Sequence, residues 1–114
     1  VVIKDYSTFD VVVSKLESIG YIHEGDLGIK DREAFRYPDK PHLMMHHLYV
    51  CPRYSRELHR HITFRDFLRN HPEAVKQYGA VKEAAARLFP NDIDQYMQYK
   101  APCIEKLYRQ CGLE

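Results

Sequence analysis

Apolar and polar positions change period twice along this chain. Val1-Val2-Ile3-Lys4-Asp5 is β-branched and apolar at its start and reads as a buried strand already in progress. Further natural sequence is therefore expected before Val1. Ser7-Thr8-Phe9-Asp10 then reads as a capping box with Asp in its fourth position. Phe9, Val13, Leu16 and Ile19 recur at helical spacing, and Gly20 supplies a stop. An amphipathic helix over 8–19, packed on a sheet, is predicted.

The period then shortens. Tyr21-Ile22-His23 reads as a short strand, and residues 24–28 carry turn chemistry. Over 32–37, Phe35 and Tyr37 alternate with Arg32, Ala34 and Arg36, and Pro38-Asp39-Lys40-Pro41 closes the segment. His42 to Cys51 is the clearest strand, ended by Pro52.

From Ser55 the period is helical. Ser55 caps a helix reaching about Arg69, with Leu58, Ile62, Phe67 and Leu68 on its apolar side. Asn70-His71-Pro72-Glu73 is a second box-like cap. Val75, Tyr78, Val81, Ala85 and Leu88 form the next stripe, which Pro90 ends. Asn91 caps a last helix carrying Ile93, Met97, Ile104, Leu107 and Cys111, which Pro102 should kink or divide. The expected class is α+β: a small mixed, mostly antiparallel sheet followed by a C-terminal set of three helices, in one domain over residues 1–114.

Composition narrows the function more by exclusion than by assignment. Seventeen Lys and Arg against sixteen Asp and Glu leave a net charge of +1, which gives no support to a nucleic-acid or polybasic membrane binder. No apolar run approaches the roughly 20 residues of a membrane span, and no secretory signal is visible. Cys51, Cys103 and Cys111 are odd in number and make no C-x-x-C pair, so reduced thiols in a cytoplasmic protein are expected. An apolar sheet edge would need cover from a partner chain or from further sequence, which leaves the oligomeric state open.

Seven histidines are the compositional oddity. His42, His46, His47 and Cys51 are all zinc-ligand types, but a strand splits them, His42 with His46 and His47 with Cys51. No metal site is expected from them. On the helix after Ser55, His61 and Arg65 fall in the apolar sector by their spacing from Leu58 and Ile62. A buried guanidinium needs a partner. A paired core arginine is the favoured reading, and an arginine awaiting a phosphate or carboxylate is the other. Arg32, Arg36 and Arg53 read as a local basic, mainly solvated surface. Asp26, Asp31 and Glu33 are metal-ligand types with nothing to fix their geometry. No Gly-rich phosphate loop, nucleophile elbow or H-E-x-x-H motif occurs, so the chain offers no complete catalytic set.

The run from Ser55 to Pro72 contains Arg60-His61-Ile62-Thr63-Phe64-Arg65-Asp66-Phe67-Leu68-Arg69-Asn70-His71-Pro72. It resembles the R-H-x-x-F-R-D-F/Y-L-R-x-H-P signature of the GrpB family. His46-His47-Leu48-Tyr49-Val50 is similar to that family's H-L-H-V strand. Tyr78 with Lys82, and Tyr96 with Lys100 and Ile104, fit its Y-x-x-x-K rhythm. The resemblance covers about Leu16 to Leu107. It implies a nucleotidyltransferase-like fold, a mixed sheet flanked by helices, and a poorly defined molecular function. Related segments joined to dephospho-CoA kinase point toward nucleotide or coenzyme A metabolism.

The chain departs from that pattern twice. The family's Gly-Ser motif and D-x-D-like strand, which in nucleotidyltransferases hold phosphates and divalent metal, would lie upstream of Val1, so the domain reads as N-terminally incomplete. Any Mg²⁺ would depend on that segment. Tyr49 stands at the second His of H-L-H, where a phenol hydrogen-bonds but is no imidazole base. Residue matching makes His47, Tyr49, His61 and Arg65 the expected ligand cleft, with Arg32 a weaker addition. The implied activity is binding of a nucleotide or coenzyme-type phosphate ligand, with nucleotidyl transfer if the upstream segment exists. The alternative is a non-catalytic binding or interaction module on the same fold.

Overall fold

The computed structural model describes residues 1–38 and 41–113. They fall into two compact units, Val1–His59 and Arg60–Glu114. Of the tetrapeptide expected to close the second strand segment, Asp39 and Lys40 lie outside the described residues.

The first unit is a four-stranded mixed sheet with one helix. Its strands are β1 (Val2–Ile3), β2 (Ile22–Gly25), β3 (Glu33–Arg36) and β4 (Leu48–Pro52), in the order β1-β4-β3-β2. β1 runs parallel to β4, and the other two pairings are antiparallel, as the sequence predicts. Val50, Cys51 and Pro52 are buried in succession, the run expected where both sheet faces are covered. Pro52 closes β4 from within, at the strand's last position, where its missing N–H costs least. Ala34 and Phe35, neighbours on opposite faces of β3, are likewise both buried. Gly25, with φ +80°, takes up the register shift where β2 pairs with β3.

Helix α1 (Phe9–Ser18) sets Phe9, Val12, Val13 and Leu16 against the core of Ile3, Phe35 and Val50. Ile19, expected on that stripe, is exposed because it is the cap residue beyond the last turn. The expected capping box is absent. Thr8 makes no side-chain cap, and Asp5 instead accepts from the Ser7 backbone N–H at 2.8 Å, closing a 3-10 turn over Tyr6–Thr8. The Ser7 bonds hold the Asp5 carboxyl below its ordinary pKa. At the other end Gly20 (φ 104°) donates to Glu17 O, and Tyr21 donates to Leu16 O, a Schellman closure.

The strand expected over His42–Cys51 forms only from Leu48. His46 explains part of the loss. Its Nδ1 lies 2.8 Å from Met44 O and its Nε2 lies 2.8 Å from the Tyr21 hydroxyl, so a side chain takes the carbonyl that a ladder would use. The expected division of His42, His46 and His47 between two strand faces therefore does not arise.

The division between units falls within α2 (Arg56–Arg69). Ser55 caps this helix as expected, its hydroxyl accepting from Leu58 N–H at 3.1 Å. The second unit holds the rest of α2 with α3 (Pro72–Leu88) and α4 (Ile93–Gln110). Pro72 occupies the first turn of α3, as predicted, behind a His71 cap whose side chain makes no capping bond to the helix. Asp92, not Asn91, caps α4 by accepting from Gln95 N–H at 3.1 Å.

On α3 Ala74 and Ala85 are buried and Tyr78 and Val81 half-buried, while Val75 and Leu88 are exposed. α3 packs on α4 within this unit. On α4 Leu107 is fully buried and Ile104 half-buried, whereas Ile93 and Met97 are exposed. Phe64 lies edge-on to Tyr78 and Tyr108 at 5.9 and 5.0 Å. The Y-x-x-x-K rhythm has a local meaning: Lys82 Nζ sits 5.0 Å over Tyr78, and Lys100 Nζ 4.6 Å over Tyr96, one helical turn apart.

Pro102 does not divide α4, which is continuous over 18 residues. The residue is exposed. An interior proline costs a helix about 3 kcal/mol, partly offset by the ~0.4–1 kcal/mol it removes from the unfolded chain's entropy. Pro102→Ala is expected to stabilise the protein by about 2 kcal/mol. A denaturation midpoint unmoved by the substitution would mean that proline packing compensates the lost hydrogen bond.

Candidate functional site

The sequence-predicted residues divide between the units. Arg32, His47 and Tyr49 belong to the first, and His61 and Arg65 to the second. The first three are brought together. Ala34 pairs with Tyr49 across the β3–β4 ladder, so Arg32, two residues earlier, reaches Tyr49 diagonally. Its guanidinium carbon lies 4.4 Å from the Tyr49 ring centroid. On the same strand side His47 stacks on Tyr49, with centroids 6.2 Å apart and planes within 10°. The result is a layered set of guanidinium, phenol and imidazole. Arg32 Nε is buried and has no hydrogen-bond partner.

Of Arg32, Arg36 and Arg53, expected as a mainly solvated basic surface, Arg36 and Arg53 are exposed and Arg32 is half-buried. Arg32 turns to Tyr49, whereas Arg36 is exposed and lies 3.8 Å from Glu24. The acidic residues are each engaged locally. Glu33 Oε1 lies 3.0 Å from His23 Nε2, Asp31 accepts from the Tyr6 hydroxyl at 2.9 Å, and Asp26 accepts from Gly28 N–H at 2.8 Å. Burial and the Asp31 bond both raise the Tyr6 pKa, so the phenol stays a donor. Among the described residues no three His, Cys, Asp or Glu gather as a metal site. All three cysteines are free; burial pushes the Cys51 thiol up, which keeps it protonated and unreactive.

In the second unit the expectation of a buried Arg65 is corrected. Its side chain is 50% exposed and pairs with its neighbour Asp66, Nη2 to Oδ1 at 2.9 Å and Nε to Oδ1 at 3.0 Å. His61 is exposed as well. Arg60, Phe64 and Phe67 of α2, and His71 at the start of α3, are half-buried. Arg60 lies over Tyr108 at 5.1 Å, and His71 stacks on Phe67 at 4.1 Å while bonding its carbonyl at 2.7 Å. The signature thus contributes aromatic packing through Phe64 and Phe67. Phe64, three residues before Phe67 and four after Arg60, was the available signal for this face.

The GrpB protein family profile matches residues 1–110. The chain belongs to the GrpB family. It is 33% identical over 98 residues to UPF0157 protein YqkA of Bacillus subtilis, covering 86% of this chain and 27% of that protein. It is 27% identical over 110 residues to glutamate-rich protein GrpB of Alkalihalophilus pseudofirmus, covering 95% and 62%. A crystal structure of conserved protein GrpB from Enterococcus faecalis superposes with a TM-score of 0.80 at 29% identity, over 96% of this chain and 65% of that one. The GrpB chain thus spans part of the length of each of these relatives. Their names denote a family rather than a reaction. Among the described residues no helix is long and apolar enough to cross a membrane.

Proposed function

We propose that this GrpB protein binds a nucleotide or coenzyme-type phosphate ligand, with Arg32, Tyr49 and His47 receiving its anionic end. The observation that carries the reading is the Arg32 guanidinium, with a buried Nε that has no hydrogen-bond partner, held over an aromatic ring. A buried polar group without a partner calls for one. A planar guanidinium fork matches phosphate geometry, and Tyr49 and His47 add a hydroxyl and a ring nitrogen beside it. His61 and Arg65, in the second unit, are carried as candidates by the family signature alone. Nucleotidyl transfer would require the upstream Gly-Ser and D-x-D segment, and with it Mg²⁺.

The alternative, a non-catalytic binding or interaction module, draws on Tyr49 in place of the second imidazole of H-L-H. A phenol there binds and orients but does not act as a base near neutral pH.

Isothermal titration with ATP, adenosine and pyrophosphate tests the binding reading. ATP and pyrophosphate are expected to bind and adenosine to bind far more weakly. Arg32→Met is expected to weaken the two phosphate ligands by roughly tenfold to a hundredfold, the worth of a hydrogen bond to a charged group. Equal affinity of wild type and variant for pyrophosphate would remove Arg32 from the site. Absence of heat from every phosphate ligand would favour the interaction module.

A further inference from the structure

We infer that the cavity beside His47 takes a guanine base, read by Arg36 and Glu24, so that the phosphate ligand is a guanine nucleotide. The inference rests on the phosphate-ligand reading and names the other end of the same molecule.

A cavity of about 760 Å³ opens in the first unit, with Glu24, Arg36, Tyr37, His46 and His47 in its lining. That size falls within the roughly 300–1,000 Å³ usual for small-molecule sites. His47 joins it to the layered set, because the residue that lines the cavity also stacks on Tyr49. Arg32, just before β3, and Arg36, at its end, stand four residues apart on one side of the strand. By the rise of an extended chain that is about 13 Å. A base, a ribose and a short phosphate chain in series cover such a span.

One wall of the cavity is aromatic and already assembled. Tyr21 stacks on Tyr37 with centroids 4.5 Å apart, and His46 lies 5.8 Å from Tyr21 and 6.0 Å from Tyr37. His46 is the brace of this group. Its Nδ1 is engaged with Met44 O and its Nε2 with the Tyr21 hydroxyl, each at 2.8 Å. Tyr37 and His46 both line the cavity, so a planar base meets rings whose positions are set before it arrives.

The polar pair chooses the base. Arg36 pairs with Ile22 across the β2–β3 ladder, and Glu24, two residues on, reaches it diagonally. Arg36 Nε and Glu24 Oε2 are 3.8 Å apart, outside hydrogen-bond range. A donor and an acceptor therefore stand side by side without satisfying each other. Guanine presents the complement: O6 and N7 accept from a guanidinium, while N1–H and the N2 amino group donate to a carboxylate. Adenine presents N6–H beside N7, which an amide side chain matches. Among the described residues the cavity lining holds no Asn or Gln.

The test is isothermal titration of the intact chain with GTP, ATP, inosine triphosphate, guanosine and pyrophosphate. GTP is expected to bind about fivefold to 150-fold more tightly than ATP, the worth of one good bidentate base contact. Inosine triphosphate, which lacks only the N2 amino group, should fall between them. Glu24→Gln is expected to bring GTP down to the level of ATP and to leave pyrophosphate unchanged. Glu24 is exposed and its pair with Arg36 contributes little to stability, so the thermal midpoint should not move. Equal affinity for GTP and ATP, with pyrophosphate bound, would overturn the guanine assignment and leave the phosphate reading standing. A GTP preference that survives Glu24→Gln would overturn it too. Guanosine binding that Glu24→Gln abolishes, with pyrophosphate silent, would remove the phosphate reading and keep the base in the cavity. Silence from every ligand would overturn both.

Discussion

Phe35→Ala is expected to destabilise the first unit by about 3–5 kcal/mol, the usual cost of emptying a buried aromatic site. Phe35 is buried at the centre of the sheet. It shares the core with Ile3 and Val50, and four side chains of α1 pack on that cluster. His23 stacks on its ring at 4.9 Å, so the substitution also removes the surface against which the His23–Glu33 pair lies. The neighbours come from the helix and from three strands, which cannot all collapse inward to fill the hole. Amide exchange at Val50 and Cys51 reports on this unit alone, and both amides should lose protection. A loss below about 1 kcal/mol would mean that the sheet and α1 do not share one core.

In the second unit Leu107→Ala carries the largest expected effect, a loss of about 2–5 kcal/mol. Leu107 is fully buried on α4, at 0% exposure. Met97 lies on the stripe that the sequence drew for the same helix, but it is 51% exposed. Met97→Ala should change stability by no more than about 0.5 kcal/mol. Denaturant unfolding of the two variants at constant slope separates them. Similar losses from both would show that α4 is covered along its whole length.

The contrast between Leu107 and Met97 shows what a periodic pattern can and cannot say. Spacing identified α4 and ordered its apolar face, because a helix places every third or fourth residue on one side whatever its neighbours are. How far that face is covered depends on the partner. Here α3 packs on α4, and only Leu107 of the α4 stripe is fully buried. The same limit explains α2. Leu58, Ile62, Phe67 and Leu68 made a plausible apolar side, and His61 and Arg65 fell within it. Of that side Leu58, Phe67 and Leu68 are half-buried and Ile62 is exposed, and Arg60 and Phe64 are half-buried beside them, a face the spacing did not draw. Arg65 went to the surface with Asp66, where an exposed pair contributes little.

The candidate site was legible as residue types and less so as an arrangement. Arg32 was the weaker addition from sequence because nothing local linked it to Tyr49. The link is a ladder register between strands that are distant in the chain, and a strand's own sequence does not state its register. His46 gave a strand signal and formed a brace, because its two nitrogens found a carbonyl two residues back and a tyrosine hydroxyl 25 positions away.

By itself the sequence determined the α+β class, the mixed and mostly antiparallel sheet, the order of the elements, the Ser55 cap, the Gly20 stop and the GrpB family. Each of these rests on interactions within a few residues, or on a signature read in one line. The tertiary structure alone decided which side chains are buried, which acid caps which helix and which basic residue lies against an aromatic ring. Those outcomes depend on contacts between segments far apart in the chain, where several partners of similar chemistry compete and packing selects among them.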